Sequence, residues 1–169
     1  MAILIYPKGY EVSSTNEIFM FKALEEAQKA FAADEVPVGA VLVHEGRIIA
    51  AGRNRVREKK NSLHHAENIC IMEGTNYFDD FRLTGTVLYT TLEPCIMCFG
   101  ALILSRVKKI IYGARDLRHG ALSVAGFNPL LHPIHKIEVE GGVCEEESRH
   151  LLQTFFQQRR LDGRMGNII

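Results

Sequence analysis

Apolar runs of strand length alternate with stretches of helical period along this chain, and that alternation restricts the fold to layered α/β arrangements. Ser14 followed by Glu17 forms a capping box that predicts a helix start. Met20, Ala23, Leu24, Ala27, Ala30 and Phe31 continue it at helical spacing until Pro37 forbids further turns. A β-branched run over 38–43, a turn at His44-Glu45-Gly46-Arg47 and a returning strand over 48–54 predict an antiparallel hairpin. Helices are expected over 65–74, over 94–104 with Pro94 at the start, and over 145–160; strands are expected over 86–91, 109–112 and 136–140.

A chain of 169 residues with 47% hydrophobic and 24% charged residues has the composition of one packed domain. Residues 14–169 are read as that domain and residues 1–13, with Pro7 and Gly9, as an extension. Twenty basic and twenty acidic side chains cancel, so nucleic acid could be bound only through local basic patches, such as the stretch from Arg53 to Lys60. The sequence has neither a membrane-spanning apolar run nor the features of a secretory signal, which predicts a cytoplasmic protein. Four cysteines, Cys70, Cys95, Cys98 and Cys144, lack the dense spacing of a disulfide scaffold, so the clustered pair points to metal binding or catalysis.

Two motifs carry the chemistry: His65-Ala66-Glu67, and Pro94-Cys95-Ile96-Met97-Cys98. Alone, a Cys-x-x-Cys is equally a redox pair, half of a structural zinc site or two core thiols. Together the two motifs resemble the signature of zinc-dependent deaminases. The spacing is chemically sensible. Cys95 and Cys98 fall on one helix face, where the helix dipole favours thiolates, and with His65 they supply three zinc ligands and leave a fourth position for water. Glu67 is the catalytic candidate, a carboxylate placed to move protons beside that water. His64 is read as a rim residue, and Cys70 and Cys144 as core thiols.

The similarity extends further. Glu35-Val36-Pro37-Val38-Gly39-Ala40-Val41, Gly52-Arg53-Asn54-Arg55, Thr91-Leu92-Glu93-Pro94-Cys95, Ser105-Arg106 and Gly113-Ala114-Arg115-Asp116 resemble, in the same order, the pattern of bacterial-type tRNA adenosine deaminases. Leu151-Leu152, Phe155-Phe156 and Arg159-Arg160 resemble that family's closing helix. The resemblance implies a three-layer α/β/α cytidine-deaminase-like fold around a five-stranded mixed sheet. It also implies one Zn2+ per subunit, a homodimer, and hydrolysis of the wobble adenosine of a tRNA anticodon to inosine. Carried over by position, Val36, Asn54, Ala66, Leu92, Pro94 and Asp116 would contact the substrate. The 53–60 stretch and Arg106, Lys108, Lys109, Arg115 and Arg118 would contact phosphates. The chain departs from the pattern at Asn61-Ser62-Leu63-His64, Asn68, Phe99 and the 127–135 segment. Competing expectations are a zinc deaminase of a free base, nucleoside or nucleotide, such as cytosine, guanine or deoxycytidylate, and a non-catalytic zinc or RNA-binding subunit.

Overall fold

A computed structural model describes residues 14–163; the proposed extension at 1–13 lies outside them. The chain begins with α1 (Thr15–Ala32), whose N-cap Ser14 and Glu17 make both bonds of the expected capping box. β1 (Gly39–His44) and β2 (Arg47–Arg53) pair antiparallel, joined through Glu45 and Gly46, which both have positive φ, as a two-residue turn matched to strand twist requires. A short α2 (Val56–Lys59) and then α3 (Ala66–Phe78) precede β3 (Val87–Leu92), α4 (Ile96–Leu104) and β4 (Lys109–Ala114). A long irregular connection with one 3₁₀ turn at Pro129–Leu131 leads to β5 (Glu138–Gly141) and α5 (Glu145–Leu161).

The sheet order is β2-β1-β3-β4-β5, antiparallel from β2 to β3 and parallel from β3 to β5, hence mixed. Because successive strand side chains point to opposite faces, each central strand feeds two cores. Ala40, Leu42, Leu88 and Ile110 join Cys70, Phe99 and Leu102 under α3 and α4. Val41, Val43, Tyr89 and Ile111 join Phe21, Leu24 and Leu151 under α1 and α5. The result is the three-layer α/β/α arrangement.

Helices α3 and α4 differ from the sequence expectation. α3 runs to Phe78 rather than stopping at Gly74, because that glycine is a packing residue: a Cβ there would sit 2.5 Å from Leu42 Cδ2 and 3.1 Å from Leu83 Cδ2. α4 starts at Ile96 rather than Pro94; Cys95 is its N-cap, with extended φ and ψ, so Pro94 precedes the helix instead of opening it. The parallel strands β4 and β5 are bridged without the usual crossover helix, and the irregular segment that replaces it lies over the ends of β3 and β4.

Candidate active site

Two helix starts build the site. His65 is the N-cap of α3 and Cys95 the N-cap of α4, and neither side chain makes the capping bond usual at that position. Both turn instead toward each other. His65 Nδ1 lies 3.7 Å from Cys95 Sγ and 3.4 Å from Cys98 Sγ, and the three donor atoms fall within 4.8 Å of one another. Zinc bonds of normal length at a tetrahedral angle separate a ligating nitrogen from a ligating sulfur by about 3.6 Å. The observed distances fit that ion without rearrangement.

The electrostatics agree. The Cys98 thiol beside Cys95, followed by His65, holds the Cys95 thiol down to about 4, while its anionic neighbour and burial push Cys98 upward. The hydrogen bond with Cys95 raises the His65 imidazole in turn. Glu67, one position inside α3, is 3% exposed. Burial raises its carboxyl to about 7, and Oε2 is buried without a hydrogen-bond partner. A buried carboxylate oxygen left unpaired beside a His-Cys-Cys triad makes Glu67 the candidate proton-transfer group of the site.

Above the triad opens a cavity of about 460 Å³. Its walls include Val36, Asn54, Leu92 and Asp116 of the substrate candidates, together with His65 and Glu67. Ala66 and Pro94 are not on those walls: Ala66 is packed in the core under α3, and buried Pro94 uses its carbonyl to accept from Ala121 N–H. The cavity also takes in Val38, Ser62, Met97, His119 and Glu93, which the sequence reading does not single out. Met97, between the two cysteines, could have been found from the motif alone. His119 could not, since only the irregular 115–137 segment brings it there.

His64 lies outside the ligand cluster, and Cys70 and Cys144 are buried in the two cores. The 53–60 stretch is less available than its composition suggests. Arg53 and Arg55 both pair with Glu58, Arg57 pairs with Asp34, and Glu58 N–H donates to the buried Glu35. Lys109 pairs with Glu140. The two arginines closing α5 diverge: Arg159 is 4% exposed and bound to Asp34, whereas Arg160 lines a groove of about 520 Å³ with Arg115, Arg118 and Phe156.

A fold of this layering with a His-Cys-Cys triad and an adjacent buried glutamate defines a zinc-dependent deaminase. The chain belongs to the family described as the cytidine and deoxycytidylate deaminase zinc-binding region, whose model matches residues 13–114. Within it, the chain is 42% identical to the tRNA-specific adenosine deaminase of Bacillus subtilis (strain 168), over 86% of this chain and 91% of that one. It is 45% identical to the tRNA-specific adenosine deaminase of Aquifex aeolicus (strain VF5), over 85% of this chain and 95% of that one. Against the chloroplastic tRNA(adenine(34)) deaminase of Arabidopsis thaliana it is 45% identical over 91% of its own length but spans only 13% of that protein. Among solved structures, one from a study of A-to-I editing by tRNA:A34 deaminases superposes with a TM-score of 0.73 at 41% identity, covering 80% of this chain and 99% of that chain. A guanine deaminase from Nitrosomonas europaea superposes with a TM-score of 0.71 at 29% identity, covering 86% of each.

Proposed function

We propose that this protein deaminates the wobble adenosine of a tRNA anticodon to inosine, releasing ammonia. The observation that carries the reading is Glu67, buried with Oε2 unpaired beside the His65, Cys95 and Cys98 triad on the cavity wall. His65, Cys95 and Cys98 would hold a zinc ion, which would acidify its bound water from a pKa of about 15.7 toward about 7. Glu67 takes the proton of the attacking water and delivers it to N1 of the adenine ring as the oxygen bonds to C6. The same carboxyl then takes up the second proton of that oxygen and passes it to the exocyclic amine. The C6–N bond breaks, its electron pair leaves with ammonia, and C6 becomes a carbonyl. Water and adenosine are consumed; inosine and ammonia are formed.

The remaining walls supply position rather than chemistry. Val36, Leu92 and Met97 offer apolar surface to a base taken out of its stack, and Asn54 and Asp116 offer polar contacts to its nucleotide. Asp116 Oδ1 accepts from Arg118 N–H and His119 N–H, while Oδ2 lies 3.9 Å from His119 Nδ1, so both Asp116 and His119 are placed to meet a nucleotide hydroxyl. The groove with Arg115, Arg118, Arg160 and Phe156 has the cations and the aromatic face that flanking RNA requires.

A homodimer in the cytoplasm fits the same reading. Ile96 and Leu104 are 53% and 62% exposed and lie on one face of α4, an apolar stripe suited to a second copy. None of the four cysteines is in a disulfide, as a reducing compartment favours, and among the described residues no helix is long and apolar enough to cross a membrane.

The test is incubation of zinc-loaded protein with unmodified tRNAs, then nuclease digestion and mass spectrometry for inosine, with Glu67→Ala alongside. Inosine from the wild type alone supports the reading. Absence of inosine from zinc-containing protein overturns it, and free guanine, cytosine and nucleosides become the substrates to assay.

A further inference from the structure

Glu93 is a charged side chain that the reaction does not use, yet it is 2% exposed and among the most heavily bonded in the protein. It stands between Leu92, on the cavity wall, and the segment leading to Cys95. Every side-chain hydrogen bond it makes goes to the irregular segment after β4. Its Oε1 accepts from Leu122 N–H at 2.9 Å and Ser123 N–H at 2.8 Å. Its Oε2 accepts from Asp116 N–H at 3.2 Å and the Ser123 hydroxyl at 2.6 Å.

We propose that Glu93 is a positioning residue that locks the substrate-contacting segment 116–123 onto the metal-ligand turn 93–98, and thereby sets how the enzyme grips its nucleotide. This rests on the deaminase reading above. Four donors converge on one carboxylate, three of them backbone N–H groups with no helix or strand partner of their own. An irregular segment has to satisfy those groups somehow, and here one side chain does it. Two further ties run between the same pieces of chain: Ala121 N–H donates to Pro94 O at 3.0 Å, and Cys95 and Gly120 form an isolated antiparallel bridge.

Gly120 shows how closely the two pieces fit. A Cβ there would lie 2.4 Å from Glu93 Oε1 and 2.5 Å from the Asp116 carbonyl oxygen, so only glycine lets the segment close over the carboxylate. Within the lock, Asp116 has its backbone N–H on Glu93 and its Oδ1 on the next turn. Its remaining oxygen, Oδ2, lies 3.9 Å from His119 Nδ1, so the turn that Glu93 anchors holds the whole Asp116 carboxylate. His119 follows in the same turn and reaches the same cavity.

The chemistry of the carboxylate makes an isosteric test possible. Gln at position 93 keeps the volume but replaces one acceptor oxygen by an NH₂ donor. That donor must face either Leu122 and Ser123 N–H or Asp116 N–H, so one side of the lock becomes donor against donor. The two oxygens of Glu93 each take two donors, and no amide orientation serves both.

The experiment uses zinc-loaded wild type, Glu93→Gln, Gly120→Ala and Ser123→Ala. Hydrogen exchange of the 116–123 amides reads the lock without any substrate. Deamination of an anticodon stem-loop RNA reads its consequence. The proposal expects exchange at Asp116, Leu122 and Ser123 to rise tenfold or more in Glu93→Gln, with zinc stoichiometry unchanged. It expects KM for the RNA to rise about tenfold while kcat falls less than threefold, and Gly120→Ala to reproduce that split. Ser123→Ala, which removes one of the four bonds and keeps the fold, should give a smaller rise of the same kind. Unchanged exchange in the 116–123 segment overturns the lock. Loss of zinc, or a fall in kcat at constant KM, overturns the positioning role by making Glu93 part of the metal site. If the wild type deaminates no RNA, the functional reading fails while the exchange data still decide whether the lock exists.

Discussion

Asp34→Asn should destabilise the protein more than Arg159→Met does, although asparagine is the smaller change. Arg159 lies on α5 with its side chain 4% exposed, its guanidinium 2.7 Å from Asp34 Oδ1 and 3.1 Å from Asp34 O, stacked over the Phe155 ring at 5.2 Å. Its Nε has no hydrogen-bond partner. Neutralising Asp34 leaves a buried cation held only by carbonyl-type oxygens. Removing one partner of a fully buried pair costs about 3–5 kcal/mol. Asp34 is 46% exposed, so water screens part of that, and about 2 kcal/mol is the appropriate figure. Asparagine is chosen because Asp34 has φ +60°, which it tolerates better than most residues. Arg159→Met removes the charge along with its desolvation, keeps an apolar stem against Phe155, and leaves Asp34 paired with Arg57, for a cost of about 1 kcal/mol or less. When Arg159→Met is already in place, adding Asp34→Asn should then cost little, giving a coupling of about 1–1.5 kcal/mol. Urea unfolding of the four zinc-loaded proteins measures this, and melting temperatures should fall by about 4–8 °C for Asp34→Asn. An additive cycle, or an Arg159→Met protein less stable than Asp34→Asn, would refute the reasoning.

Three other outcomes are expected. Glu67→Gln should lower kcat by about 10²- to 10⁴-fold, the usual worth of a positioned acid/base, with zinc content unchanged by elemental analysis. Stripping zinc with a chelator should abolish turnover and lower the melting temperature, and stoichiometric zinc should restore both; a metal-free protein of full stability would show that the ion contributes nothing to folding. Arg160→Glu should raise KM for anticodon stem-loop RNA and reduce the salt dependence of binding, because one phosphate contact carries a slope of about 0.7 on single strands. The same change at Arg159 should instead read out as a loss of stability.

That difference between adjacent arginines is written in the sequence, in a period that the paired-arginine motif conceals. Leu151, Phe155 and Arg159 recur every four residues and are all buried, so helical periodicity alone turns Arg159 inward and leaves Arg160 outside. The strands and the hairpin are legible because strong β-branched runs and an explicit turn mark them. The metal triad is legible because ligand type and spacing are chemical facts about side chains. Gly74 misleads because a glycine that admits Leu42 and Leu83 looks, in sequence, like one that ends a helix. The 115–137 segment has no period to read, and its anchoring on Glu93 runs mostly through backbone N–H groups, which every non-proline residue possesses.

His65 and Cys95 are the N-caps of α3 and α4, and that placement sets the electrostatics of the ligand cluster. A helix start leaves N–H groups unpaired and concentrates positive potential there, and α3 and α4 bring two such starts to one point. That potential favours the Cys95 thiolate and an ionised Glu67 over their neutral forms. Burial works against ionisation at Glu67 and prevails, lifting its carboxyl to about 7. The cycle proposed above asks Glu67 to take a proton and release it in turn, which suits a carboxyl that burial lifts above the usual carboxylate range.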